Sequence, residues 1–141
     1  MRTNGGLCVT ISLALLLMSA GCGGSSSKPT VTGSWSGTAT STFVVGAAGV
    51  SGNLTQGVTN PDGSIQFSGT LFLTNSCITT VQLSGTIAGG AFALLGQNTD
   101  GSSLAVTATI DPHDTTITGT YTTTAGTVCS ADQGTFSLAK H

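Results

Sequence analysis

Ser64-Ile65-Gln66-Phe67-Ser68-Gly69-Thr70-Leu71-Phe72-Leu73 is the stretch that decides the fold. Ile65, Phe67, Gly69, Leu71 and Leu73 fall on one parity, and mostly Ser, Gln and Thr fall on the other. A period of two marks a strand with one face buried and one face wet. Asn60-Pro61-Asp62-Gly63 precedes it and Thr74-Asn75-Ser76 follows, and both are turn chemistry. The stretch is therefore one strand among several, set between reversals of the chain.

The same pattern repeats outward in both directions. Upstream, residues 31–40 place Trp35, Gly37 and Ala39 on one face, and residues 43–45 extend that strand. Residues 50–59 form a second strand with Leu54 and Val58 inward. Downstream, residues 77–87 place Val81, Leu83, Gly85 and Ile87 together, and residues 91–97 make a short apolar strand. Leu104, Val106, Ala108 and Ile110 line a sixth strand, Ile117, Gly119 and Tyr121 a seventh, and Gly134, Phe136 and Leu138 an eighth that ends near Lys140. Short connections joining eight strands in order predict an all-β, eight-stranded antiparallel up-and-down β-barrel, with a β-sandwich as the alternative. Closure would also remove the sheet edges that invite aggregation.

A weak repeat points the same way. Ser36-Gly37-Thr38, Ser68-Gly69-Thr70, Ser84-Gly85-Thr86, Thr118-Gly119-Thr120 and Gln133-Gly134-Thr135 each put a glycine on the inward parity. Glycine weakens a strand interior unless a sharp bend or a close backbone approach requires it, and coiling around a narrow barrel supplies both.

Composition excludes some functions. From residue 22 onward the chain carries Lys28 and Lys140 against Asp62, Asp100, Asp111, Asp114 and Asp132, with no Glu. Nucleic acid is not an expected partner, because displacing its counterions takes clustered Lys and Arg. Polarity comes from Ser, Thr, Gly, Asn and Gln, which suit strands and turns.

The N-terminal end reads as an address. Arg2 is followed by the apolar run of residues 7–18, shorter than the roughly 20 residues needed to cross a bilayer and suited to a signal peptide. Ser19-Ala20-Gly21-Cys22 comes next and resembles the lipobox of bacterial lipoproteins, with Ser19 standing where Leu is usual. That resemblance implies a diacylglycerol thioether on Cys22, cleavage before it, and anchoring in the bacterial cell envelope. Gly23 after the cysteine implies the outer membrane, facing the periplasm or the cell surface. The organisation expected is a signal peptide over 1–21, a lipid-anchored Gly/Ser tether over 22–30 and the β-barrel over 31–141.

With Cys8 in the removed segment and Cys22 lipidated, Cys77 and Cys129 remain as a pair in an exported chain. A disulfide is the natural reading, and metal binding is disfavoured because neither a CxxC motif nor a nearby His is present. In an eight-strand meander both cysteines fall at the end opposite the N-terminus, so the pairing is geometrically consistent.

Gly33-Ser34-Trp35 opens the first strand and resembles the Gly-x-Trp of lipocalins, found early in avidins too. Both are ligand-binding barrels of the calycin type. The resemblance implies that a basic residue after the last strand packs on the tryptophan, a role that falls to Lys140. There is no Thr-Asp-Tyr segment and no C-terminal helix.

No catalytic constellation is evident: no Gly-x-Ser-x-Gly, no phosphate loop, no clustered His. An enzyme is not expected, nor a metal or other cofactor. Asp111, His113 and Asp114 share a turn with Pro112, where Asp serves local hydrogen bonding. Asp62, Asp100 and Asp132 read as solvated turn residues. Binding of a small apolar ligand is the expected function, with Phe67, Leu71, Leu83, Val106, Tyr121 and Phe136 as candidate lining, because no charge is expected to point inward. A structural or surface-interaction module with a packed core is the alternative, and strands this short favour a filled interior.

Overall fold

The computed structural model describes residues 28–98 and 100–141. The expected signal peptide, Cys8 and Cys22 lie outside the described residues. Eight strands follow in order: β1 (Gly33–Ser41), β2 (Ala47–Thr59), β3 (Ile65–Thr74), β4 (Thr80–Ala88), β5 (Ala91–Asn98), β6 (Ser103–Ile110), β7 (Thr116–Thr123) and β8 (Asp132–Lys140). Each pairs antiparallel with its sequence neighbours, and β1 pairs with β8 from Trp35↔Lys140 to Ser41↔Gly134. That last ladder closes the sheet and excludes a sandwich.

The glycines explain how the strands coil so tightly. A Cβ added at Gly37 would run into the carbonyl oxygen of Ser137 on β8, and one at Gly119 into that of Thr107 on β6. Gly69, Gly85 and Gly134 meet neighbouring backbone oxygens in the same way. The repeat therefore marks places where one strand's backbone folds over the next, a contact that only glycine allows.

The chain enters at the lower end, which is filled. Val31, Trp35, Ile65 and Ile87 are essentially inaccessible to solvent, and Ile110 joins them. The Trp35 indole N–H donates to the Val31 carbonyl at 2.8 Å, which holds the segment before β1 under the barrel floor. The Lys140 ammonium lies 5.5 Å from the Trp35 ring centroid and donates to the Thr30 carbonyl at 2.9 Å. Gly33 takes φ 147°, and its missing side chain leaves room for the Lys140 stem passing over it. Gly33, Trp35 and Lys140 thus form one closing device.

Three sequence expectations need correction here. Val58 is exposed, not inward: Gln56 pairs with Phe67 but Thr59 with Ile65, so a β-bulge intervenes and reverses the parity of the last residues of β2. Residues 43–45 do not extend β1. Phe43 and Val44 instead direct their backbone N–H groups to the Ser41 Oγ, each at 2.9 Å, and the chain turns outward. Strand β4 begins at Thr80, so Cys77 sits in the preceding loop.

Cys77 and Cys129 form a disulfide across a Cα–Cα distance of 5.8 Å. It ties the β3–β4 loop to the β7–β8 loop at the upper end, opposite the chain entry.

Candidate functional site

The interior of the upper half is not filled. Leu71, Leu73, Leu104, Tyr121 and Phe136 face inward but are only partly buried, because they border a cavity of about 500 Å³ that opens at the upper end. The expectation of a packed core is therefore corrected for this half. Small inward side chains cause the difference. Ala39, Ala48 and Ala108 border the cavity where larger side chains would fill it. Phe67 and Phe92 pack edge to face, with centroids 5.3 Å apart, and form the cavity floor above the Trp35 plug.

All six residues anticipated as lining, Phe67, Leu71, Leu83, Val106, Tyr121 and Phe136, border this cavity. The period of two placed them, and closure of the barrel brought them together. Sequence reasoning missed the polar part of the wall. Asp132 was expected in a solvated turn. It is instead the first residue of β8 and borders the cavity, so the expectation that no charge faces inward is also corrected.

Asp132 is held by its neighbours on both sides. Ser41 at the end of β1 donates its hydroxyl to Oδ1 at 2.6 Å, and the Gln133 N–H reaches the same oxygen at 2.7 Å. The Tyr121 hydroxyl donates to Oδ2 at 2.9 Å. Glycine again makes the geometry possible: Gly134 pairs with Tyr121, and a Cβ there would strike the Tyr121 ring. Burial, followed by the hydrogen bond and the charge of Asp132, pushes the Tyr121 phenol up to about 12. The hydroxyl therefore stays protonated at any physiological pH.

Asn98, the last residue of β5, borders the same cavity and is buried. Its amide Nδ2 donates to the Ser102 Oγ at 2.6 Å, and the Ser102 hydroxyl in turn donates to Asp100 Oδ1 at 2.6 Å. The Asn98 Oδ1 finds no partner among the described residues. The equivalent turn at the lower end behaves differently. Asn60 donates to Ser64 and Ser64 to Asp62, as in the upper turn, but there the Asn60 Oδ1 accepts from Gln66 Nε2 at 3.0 Å. Leu104 stands where Gln66 would be in the upper turn, so it offers nothing to Asn98.

The other carboxylates serve their turns. Asp111 accepts from the backbone N–H groups of His113, Thr115 and Thr116, at 3.1, 2.7 and 2.6 Å. Those bonds, Thr116's foremost, hold its carboxyl below the usual range. Asp62 and Asp100 are lowered likewise, mainly by the hydroxyls of Ser64 and Ser102. Asp111, His113 and Asp114 lie at the lower end, away from the cavity. No cluster of three or more His, Cys, Asp or Glu side chains suited to a metal occurs among the described residues.

Fold and cavity together define a closed up-and-down barrel of the lipocalin-like kind. A solved structure from the de novo design of a fluorescence-activating β-barrel is similar to it, with a TM-score of 0.50 and 12% identity, over 78% of this chain and 93% of that one. At that identity the likeness concerns the fold alone. No protein-family model matches the chain, and no curated protein matches it in sequence.

Proposed function

We propose that this protein binds a small, largely apolar ligand in the upper half of its barrel, and that a lipid on Cys22 holds it in the bacterial cell envelope. One observation carries the first part: the cavity of about 500 Å³ is walled mainly by aliphatic and aromatic side chains and is open at one end. That volume falls within the range of small-molecule sites, roughly 300–1,000 Å³. An eight-stranded barrel is wide enough to hold one such ligand. The fluorescence-activating purpose of the designed barrel belongs to that design and carries no argument about this cavity. A non-enzymatic role fits a site in which every carboxylate but Asp132 is committed to a turn or lies at the other end.

The lipid part rests on the sequence. Residues 19–22 resemble a lipobox, and the chain enters the barrel at its lower end. An anchor at Cys22 would therefore leave the cavity mouth facing away from the membrane. Labelled fatty acid should enter the wild type and not Cys22→Ser; a wild type without label sinks the anchor. For the cavity, the protein is incubated with envelope lipid extract and examined by native mass spectrometry. A retained apolar species, lost in Leu83→Trp where a larger ring enters the cavity, is the expected result. A clean unliganded mass, with no melting shift across a lipid panel, would favour a purely structural module.

A further inference from the structure

We infer that the ligand of this cavity is an amphiphile whose polar end donates hydrogen bonds, an ammonium before a hydroxyl, and that the site discriminates against carboxylic acids. This rests on the ligand-binding reading above and narrows it to a chemical class.

The inference follows from counting donors and acceptors at the mouth. An ionised carboxylate only accepts, so the hydroxyl protons of Ser41 and Tyr121 must both point at Asp132. Ser41 has no further donor, and its lone pairs already receive the Phe43 and Val44 N–H groups. What remains open at this corner is acceptor capacity: a lone pair on Asp132 Oδ2 and those on the Tyr121 oxygen.

Asn98 contributes a second, independent acceptor. Its amide orientation is fixed by chemistry, because the Ser102 hydroxyl donates its one hydrogen bond to Asp100 and can only accept from Asn98. The oxygen left over is therefore a carbonyl oxygen, buried in the cavity wall with no partner among the described residues. An unmet buried acceptor costs on the order of 1–3 kcal/mol, and the sister turn avoids this cost with Gln66. A ligand donor would supply what Gln66 supplies below.

Charge agrees with the count. Among the described residues, Asp132 is the one charged residue bordering the cavity. Lys140 lies at the opposite end beside Trp35, and Lys28 precedes the Thr30 that bonds to Lys140 there. A fatty acid entering head-up would meet acceptors and a like charge, with no cation to receive it. An alkylammonium meets a counter-ion in a wall that is otherwise apolar, where charge-assisted hydrogen bonds are strong.

The test uses the delipidated full-length protein with dodecylamine, dodecanol and dodecanoate, each competing against an uncharged solvatochromic dye. The amine is expected to bind at least tenfold tighter than the carboxylate, with the alcohol between them. In Asp132→Asn the preference for the amine over the alcohol, read as the ratio of the two affinities in the same variant, should fall at least tenfold. Asn98→Leu, a second variant that does not touch the Asp132 network, should weaken the alcohol relative to the dye measured in the same variant. If the dye binds but the carboxylate competes as well as the amine, the head-group inference is overturned while the cavity reading stands. If neither dye nor any amphiphile binds, both are overturned.

Discussion

Tyr121 is where local sequence and site chemistry meet most closely. Its inward parity could be read from the alternation of β7, but its hydroxyl partner could not. Asp132 follows a long loop, and its pairing with Thr123 of β7 fixes where β8 starts. In sequence the residue looks like any turn aspartate. Asn98 was obscured in a different way: its turn has the same residue types as the Asn60 turn, and the difference lies two residues beyond the serine, in Leu104 against Gln66. Tyr121 is the chain's only tyrosine, so ultraviolet titration reads it directly. Its phenol is raised from the ordinary 10.0 to about 12, so the fold prefers the neutral form. That contribution to stability is whole below pH 10 and is lost as pH rises through about 12. The absorbance step should fall near 12 in the folded protein. It should move only part of the way back in Asp132→Asn, because burial is the larger cause. At the lower end, Trp35→Ala should cost about 3–5 kcal/mol in chemical denaturation, the range for emptying a large buried aromatic site.

At the scale of elements, the turns and the bulge decide what alternation alone does not. Strand identity was legible wherever apolar residues kept a strict period of two, as in β3, β6 and β7. It failed at Val58, because a β-bulge is an insertion into the ladder and leaves no mark in the pattern of one strand. The turn carboxylates carry a pH dependence. Asp62, Asp100 and Asp111 all lie below the ordinary 3.8 when folded, so their stabilisation is present above that value and is lost as pH falls through their lowered pKa values. Melting temperature should hold steady from neutral pH to about 5 and then drop on further acidification. Asp111→Asn should flatten part of that drop. The Cys77–Cys129 bridge closes a sequence separation of 52 residues, which in the chain-entropy account contributes roughly 4 kcal/mol. Denaturant unfolding of the Cys77→Ser/Cys129→Ser double variant should show a loss of about that size. A loss near zero would mean that the upper loops are held by other contacts.

The described part of the molecule is a closed barrel, sealed below and open above. Closure was legible because eight alternating strands with short connections leave few other ways to bury one face of each. Hollowness was not, since it depends on side-chain volume summed across the barrel at one height. No single strand reveals that Ala39, Ala48 and Ala108 border one cavity. Methyl NMR tests directly whether that cavity admits a ligand. On titration with an uncharged apolar probe, the methyl signals of Leu71, Leu83 and Val106 should shift in a saturable manner and show intermolecular contacts to the probe, while those of the outward Val58 and Leu95 stay still. Shifts confined to the outward methyls, or none at saturating probe, would contradict the claim.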